Sequence, residues 1–142
     1  MIGSFDFLGC GFASTLGAGV GSATLMEMVT AYGVFANGGY LKKPYLIEKM
    51  VDSQGKVIDQ TNAMFQNEET PRVIDPRNAF IMTTLLQDVV NKGTAVKAKA
   101  LGRSDIAGKT GTTNNQVDAW FAGFTPSQVA IAWIGFDQPK TL

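Results

Sequence analysis

The sequence predicts an α+β chain in which two helices and a hairpin precede three antiparallel strands. Three observations carry that expectation. Thr24-Leu25-Met26-Glu27 is a capping box, and apolar residues follow it at helical spacing. Asp75-Pro76 supplies an N-cap and a first-turn proline ahead of a second such run. From Ile106 onward, short apolar stretches alternate with glycine, asparagine and proline turn signals, the pattern of strands. The expected architecture is an antiparallel sheet with flanking helices.

The elements follow in order. Residues 1–21 contain Gly3, Gly9, Gly11, Gly17, Gly19 and Gly21, which argues for irregular structure. In the first helix Leu25, Met28, Val29, Tyr32 and Ala36 form the apolar stripe, and Asn37-Gly38-Gly39 ends it. Leu46 to Val51 alternates, Asp52-Ser53-Gln54-Gly55 turns, and Lys56 to Asp59 returns, as in a β-hairpin. Residues 60–70 are polar and read as a loop. The second helix is expected to bury Phe80, Ile81, Leu85 and Val89 and to stop near Asn91-Lys92-Gly93, with a short helix at Ala95 to Leu101. Strands are expected at Ile106 to Thr113, Ala119 to Phe124 and Val129 to Phe136, with Pro126 turning the last pair. Val129-Ala130-Ile131-Ala132-Trp133-Ile134 is apolar on both faces, which predicts the middle of a covered sheet.

Composition excludes several chemistries. The 142 residues make one domain at most. Twelve basic and twelve acidic side chains cancel, so nothing points to a nucleic-acid partner. Locally, Lys92, Lys97, Lys99, Arg103 and Lys109 cluster around a single acid, Asp105, and read as a solvated face or as a positive rim for an anionic substrate. Without histidine, neither Ser-His-Asp nor Cys-His catalysis is available and a zinc site is not expected. Cys10 is alone, so it forms no intrachain disulfide. No apolar run is long enough to span a membrane, and Met1-Ile2-Gly3-Ser4-Phe5 lacks the pattern of a signal peptide.

The most informative string is Gly108-Lys109-Thr110-Gly111-Thr112-Thr113-Asn114. A phosphate-binding P-loop would need glycine at 103, where Arg103 stands, and a helix directly after Thr110, where the sequence is poor in helix formers. On a strand the same residues do different work. Lys109 and Gly111 fall on one face and Thr110 on the other. Lys109 offers a positive charge to a carboxylate, bare Gly111 admits close approach of a substrate backbone, and the Thr112 N–H can donate to a developing oxyanion.

Three runs extend this string into a resemblance. They are Ala107 to Asn114, Asp118-Ala-Trp-Phe-Ala-Gly-Phe-Thr-Pro126 and Val129-Ala-Ile-Ala-Trp-Ile-Gly-Phe-Asp137. With Ala31 to Gly39 and Met82 to Val90 upstream in the same order, the chain resembles the C-terminal part of the transpeptidase domain of class A (bifunctional) penicillin-binding proteins over about residues 14–138. Phe12 to Gly19 matches only loosely, which leaves residues 1–13 outside the likeness. The resemblance implies part of a penicillin-binding, serine β-lactamase-like transpeptidase fold. It implies a D-alanyl-D-alanine transpeptidase that cross-links peptidoglycan and is acylated by β-lactams, with no cofactor. Lys109 and Thr110 would then orient the donor carboxylate and, with Gly111, form the cleft wall. Thr112 would serve the oxyanion hole, Thr113 and Asn114 would line the cleft, and Asp118 and Trp120 would support it. The whole protein would be anchored in the bacterial inner membrane, with this region in the periplasm or outside the cell.

Two motifs of that family are missing from these residues. The family nucleophile, Ser-x-x-Lys, lies upstream of the first helix. The string of that form present here, Ser53-Gln54-Gly55-Lys56, falls in a hairpin turn, where serine and lysine are not one helical turn apart. No Ser-x-Asn occurs. The chain alone is therefore expected to be inactive and to require the N-terminal half of the domain as a partner. Residues 129–136 would then leave an apolar strand edge that favours self-association. The alternatives are a noncatalytic peptide- or partner-binding module and, behind it, a nucleotide-binding protein.

Overall fold

Helix α1 (Leu25–Ala36) begins where its capping box closes. The computed structural model describes residues 23–60, 70–138 and 140–142, and Cys10 and most of the expected loop at 60–70 lie outside them. The Glu27 N–H donates to Thr24 Oγ1 at 3.2 Å, and the Thr24 N–H donates to Glu27 Oε2 at 2.7 Å. The bond from the Thr24 backbone, followed by that from its hydroxyl, holds the Glu27 carboxyl below its ordinary pKa of 4.5. A depressed carboxylate contributes stability above its unfolded pKa and loses it as pH falls through the folded value. Helical ellipticity is therefore expected to decline on acidification below about pH 4.5, and Glu27→Gln should flatten that part of the titration. Tyr32 and Val34 are buried, with Met28, Phe35 and Ala36 packed beside the core, whereas Leu25 is exposed. Of the expected stripe, Met28, Tyr32 and Ala36 meet the core and Leu25 does not, while Val34 is buried outside it.

Helix α1 ends at Asn37, and Gly38 and Gly39 follow with φ of 75° and 103°. Arg72 then ties this end to the approach of the second helix. Its guanidinium donates to the Gly38 carbonyl at 2.9 Å and the Tyr40 hydroxyl at 2.7 Å, and it stacks 4.1 Å from the Tyr40 ring centroid. The hairpin forms as expected, with β1 (Lys49–Val51) antiparallel to β2 (Val57–Gln60). Asp52 Oδ1 accepts from the N–H groups of Gln54 and Lys56, and Gly55 takes the positive φ of 82° that the turn needs.

Helix α2 (Pro76–Lys92) is capped by Asp75, whose Oδ1 accepts from the Arg77 N–H at 2.9 Å. Its buried residues are Ala79, Leu86 and Val90, with Met82 and Val89 partly buried. Phe80, Ile81 and Leu85 are exposed, Phe80 at 72%. Three of the four positions expected inside therefore face out. The helix carries two adjacent apolar stripes, and this chain's sheet covers only one of them. The short helix expected there forms as a 3-10 helix, Val96–Leu101.

The sheet is antiparallel in the order β3-β4-β5, with β3 Ala107–Thr112, β4 Ala119–Phe124 and β5 Val129–Ile134. Helix α1 packs on β4 and β5, and α2 packs on β3. One core cluster joins Tyr32, Leu86, Ala107, Ala122 and Phe124; a second joins Val90, Ala95 and Ile106, with Phe121 against it. Among the described residues β5 pairs only with β4, so it lies at an edge of this sheet and not in its middle. Its faces are not both covered either, since Ala130, Ala132, Trp133 and Ile134 are exposed and only Val129 and Ile131 are partly buried.

Candidate functional site

Strand β3 is built around an obligatory glycine. Gly108 lies opposite Gly123 in the β3–β4 register, and the Phe121 ring covers both. A Cβ on Gly108 would meet Phe121 Cζ at 2.9 Å and the Ala122 carbonyl oxygen at 2.9 Å. Gly111 differs. A Cβ there would meet Trp120 Cβ at 3.4 Å, ordinary contact, and its φ is not positive. The fold does not demand glycine at 111, so Gly111→Ala is expected to leave the melting temperature unchanged or slightly raised. Thermal unfolding followed by circular dichroism checks this.

Register places Lys109 opposite Ala122, Thr110 opposite Phe121, Gly111 opposite Trp120 and Thr112 opposite Ala119. Lys109 and Gly111 therefore share one face, and Thr110 and Thr112 share the other. Lys109 is half-buried, and its Nζ donates to the Thr110 carbonyl at 2.6 Å. Thr110 Oγ1 and Thr94 Oγ1 share a hydrogen bond at 2.7 Å. Thr112 is exposed at the end of the strand. Because β3 pairs only with β4, its other edge has no strand against it among the described residues.

The exit from β3 is held by Asp118. The Thr113 N–H donates to the Asp118 carbonyl at 3.1 Å, and the Asp118 N–H donates to Thr113 Oγ1 at 2.8 Å. The Thr113 hydroxyl lies 3.3 Å from Asp118 Oδ2, and Trp133 Nε1 donates to Asp118 Oδ1 at 2.9 Å. Trp133 also lies against Trp120, with centroids 6.1 Å apart. Asp118 and Trp120 thus support the loop, and the Thr113 hydroxyl is engaged within it. Asn114 opens a 3-10 turn, Asn114–Gln116, in which Asn115 and Gln116 have positive φ.

Two charges of the basic cluster are paired. Lys92 meets Asp88 at 3.4 Å and Arg103 meets Asp105 at 2.6 Å, and the hydrogen bond from Arg103 lowers the Asp105 pKa. Pairing weakens the reading of this stretch as a positive rim. No group of metal-ligating side chains occurs among the described residues. Gly108-Lys109-Thr110 lies inside a strand that continues to Thr112, so no helix N-terminus stands ready for a phosphate, and the nucleotide reading loses its mechanism. Ser53 and Lys56 sit in the exposed β1–β2 turn. Thr94 was missed in the sequence, and Phe121 reads there as strand packing with no sign of its place over Gly108. Thr94 follows the helix stop at Asn91-Lys92-Gly93, and nothing in the chain order signals its contact sixteen residues on.

Helices packed on an antiparallel sheet whose free edge strand carries Lys-Thr-Gly define the penicillin-recognising class of fold, and comparison with known proteins agrees. Residues 10–140 match the penicillin binding protein transpeptidase domain. Penicillin-binding protein 1A of Neisseria lactamica is 51% identical over 128 residues, covering 90% of this chain and 16% of that protein. The Pseudomonas aeruginosa penicillin-binding protein 1A is 38% identical over 173 residues, covering 90% of this chain and 21% of that protein. A crystal structure of penicillin-binding protein 1A from Haemophilus influenzae superposes with a TM-score of 0.78 at 35% identity, over 88% of this chain and 24% of that one. The chain belongs to the penicillin-binding protein transpeptidase family, in the class A region typified by the 1A proteins. It spans about a sixth of the length of the N. lactamica protein.

Proposed function

We propose that this chain forms the C-terminal part of a class A D-alanyl-D-alanine transpeptidase domain and supplies the Lys-Thr-Gly wall of its cleft. The observation that carries the reading is the free edge of β3, where Lys109, Thr110, Gly111 and Thr112 run as an unbroken strand beside β4. An edge strand offers backbone N–H and C=O groups to an extended peptide, and side chains beside it set specificity. Lys109 attracts the donor carboxylate and the Thr110 hydroxyl orients it. The Thr112 N–H stabilises the oxyanion as a serine oxygen attacks the donor carbonyl. The C–N bond to the terminal D-alanine then breaks, leaving a serine ester that an acceptor amine resolves. Thr113 and Asn114 border the cleft.

Ser53 sits in an exposed turn and no Ser-x-Asn occurs in the sequence, so the nucleophile and its base come from elsewhere. The preceding part of the domain is the partner that brings them, and the ligands are peptidoglycan stem peptides and β-lactams. Such a protein works outside the inner membrane; among the described residues no helix is long and apolar enough to cross one.

The test is intact mass after incubation with excess penicillin, for this chain and for a chimera. In the chimera, residues 10–140 replace the matching segment of the N. lactamica protein. The chain alone should keep its mass and the chimera should gain one penicillin. An adduct on the isolated chain would show an activated serine within it, and a folded chimera without an adduct would refute the reading.

Two further results are expected. Gly111→Ala, tolerated by the fold, should slow acylation of the chimera, because its methyl occupies the path of the substrate backbone. The isolated chain should self-associate through β5, where Trp133 and Ile134 are exposed on an open edge. Light scattering that shows a clean monomer at high concentration would contradict the second.

A further inference from the structure

We propose that Thr94 is a positioning residue for carboxylate recognition, acting through the hydroxyl of Thr110. The inference rests on the transpeptidase reading and goes beyond it to a residue outside the Lys-Thr-Gly strand. The two hydroxyl oxygens lie 2.7 Å apart. Thr94 stands on a turn that leaves it little freedom. Before it, Gly93 packs so tightly that a Cβ would meet Val89 Cα and the Val89 carbonyl oxygen, each at 2.9 Å. After it, Ala95 is buried with Val90 and Ile106 beneath Phe121, the residue opposite Thr110 in the sheet. One cluster therefore anchors Ala95, the neighbour of Thr94 in the chain, and Phe121, the partner of Thr110 in the sheet. The 3-10 helix that follows has Ala95 as its N-cap with no side-chain hydrogen bond, so Thr94 is not spent on capping.

A threonine hydroxyl has one proton and two lone pairs. The two hydroxyls share one hydrogen bond, and either oxygen can be its donor. A carboxylate only accepts, so its arrival requires the Thr110 proton. The Thr94 O–H then donates to Thr110 Oγ1, and the Thr110 O–H donates to the carboxylate. This holds Thr110 in one rotamer and polarises its hydroxyl toward the anion. Thr94 itself is exposed, so changing it leaves the core intact.

The test uses the chimera with Thr94→Val, which keeps the shape and removes the hydroxyl, and with Thr94→Ser, which keeps the hydroxyl. Acylation rates are measured for a penicillin and for its methyl ester. Thr94→Val should slow the free acid roughly tenfold and leave the ester nearly unchanged, and Thr94→Ser should restore the free acid. Equal loss with both compounds, or no loss with either, would overturn the proposal. Failure of the unsubstituted chimera to acylate refutes the transpeptidase reading instead. On the isolated chain, NMR couplings should report one Thr110 χ1 rotamer, averaged in Thr94→Val. A single rotamer that persists in the variant would also overturn the proposal.

Discussion

Replacement of Lys109 by alanine is expected to slow penicillin acylation of the chimera by a factor between about ten and a hundred, while leaving its melting temperature nearly unchanged. The two halves of this result have separate causes. Within the fold, the Lys109 amine makes a short local contact with the neighbouring Thr110 carbonyl, and its loss disturbs no buried partner. On the proposed transpeptidase reading, the same amine would supply a positive charge beside the edge of β3 that pairs with no strand among the described residues, where a carboxylate would settle before its acyl group reaches the serine. A charge-assisted hydrogen bond in a partly desolvated cleft is worth roughly 1.5–3 kcal/mol, which sets the range. Lys109→Arg should recover part of the rate, since the charge returns on a planar fork of different reach. Second-order acylation rates at low and high salt decide the matter. Loss of the charge should also flatten the salt dependence.

Gly108→Val is expected to produce the largest loss of stability, about 3 kcal/mol or more. Its side chain would enter space already held by the Phe121 ring and the Ala122 carbonyl, with Gly123 Cα a further 3.2 Å contact. A ring can be removed and a carbonyl in the sheet cannot. Phe121→Ala in the same protein should therefore recover only part of the loss, giving a coupling energy of about 1 kcal/mol between the two sites. Urea unfolding of the two single variants and the double variant measures that coupling. Strict additivity would mean that the ring does not hold this part of β3. The glycine before Lys109 is thus a packing requirement, whereas Gly111, in the same strand, is free of one.

The ends of the helices were legible because capping is local chemistry. Thr24 with Glu27 and Asp75 with Pro76 announce their helices within four residues, and both caps form. The strands were legible for a similar reason, since glycine, asparagine and proline mark their turns. Burial was less legible. Phe80, Ile81 and Leu85 are as apolar as Leu86 and Val90, and only the sheet's position decides which stripe of α2 it covers. Strand β5 misled in the same way, because its composition is apolar on both faces while its coverage and its neighbours depend on what packs beside it. In the site, Lys109 and Gly111 fell on one face as strand periodicity requires. The supports did not show, since Thr94 and Phe121 reach Thr110 and Gly108 only after the chain has folded.

The central claim is that the Lys-Thr-Gly strand is the wall that receives a carboxylate. The most direct measurement is a crystal structure of the chimera acylated by penicillin. The account predicts the drug carboxylate within about 3 Å of the Thr110 hydroxyl, with Lys109 beside it and the ester oxygen facing the Thr112 N–H. A serine ester whose carboxylate points away from β3, with Lys109 and Thr110 untouched, would contradict it.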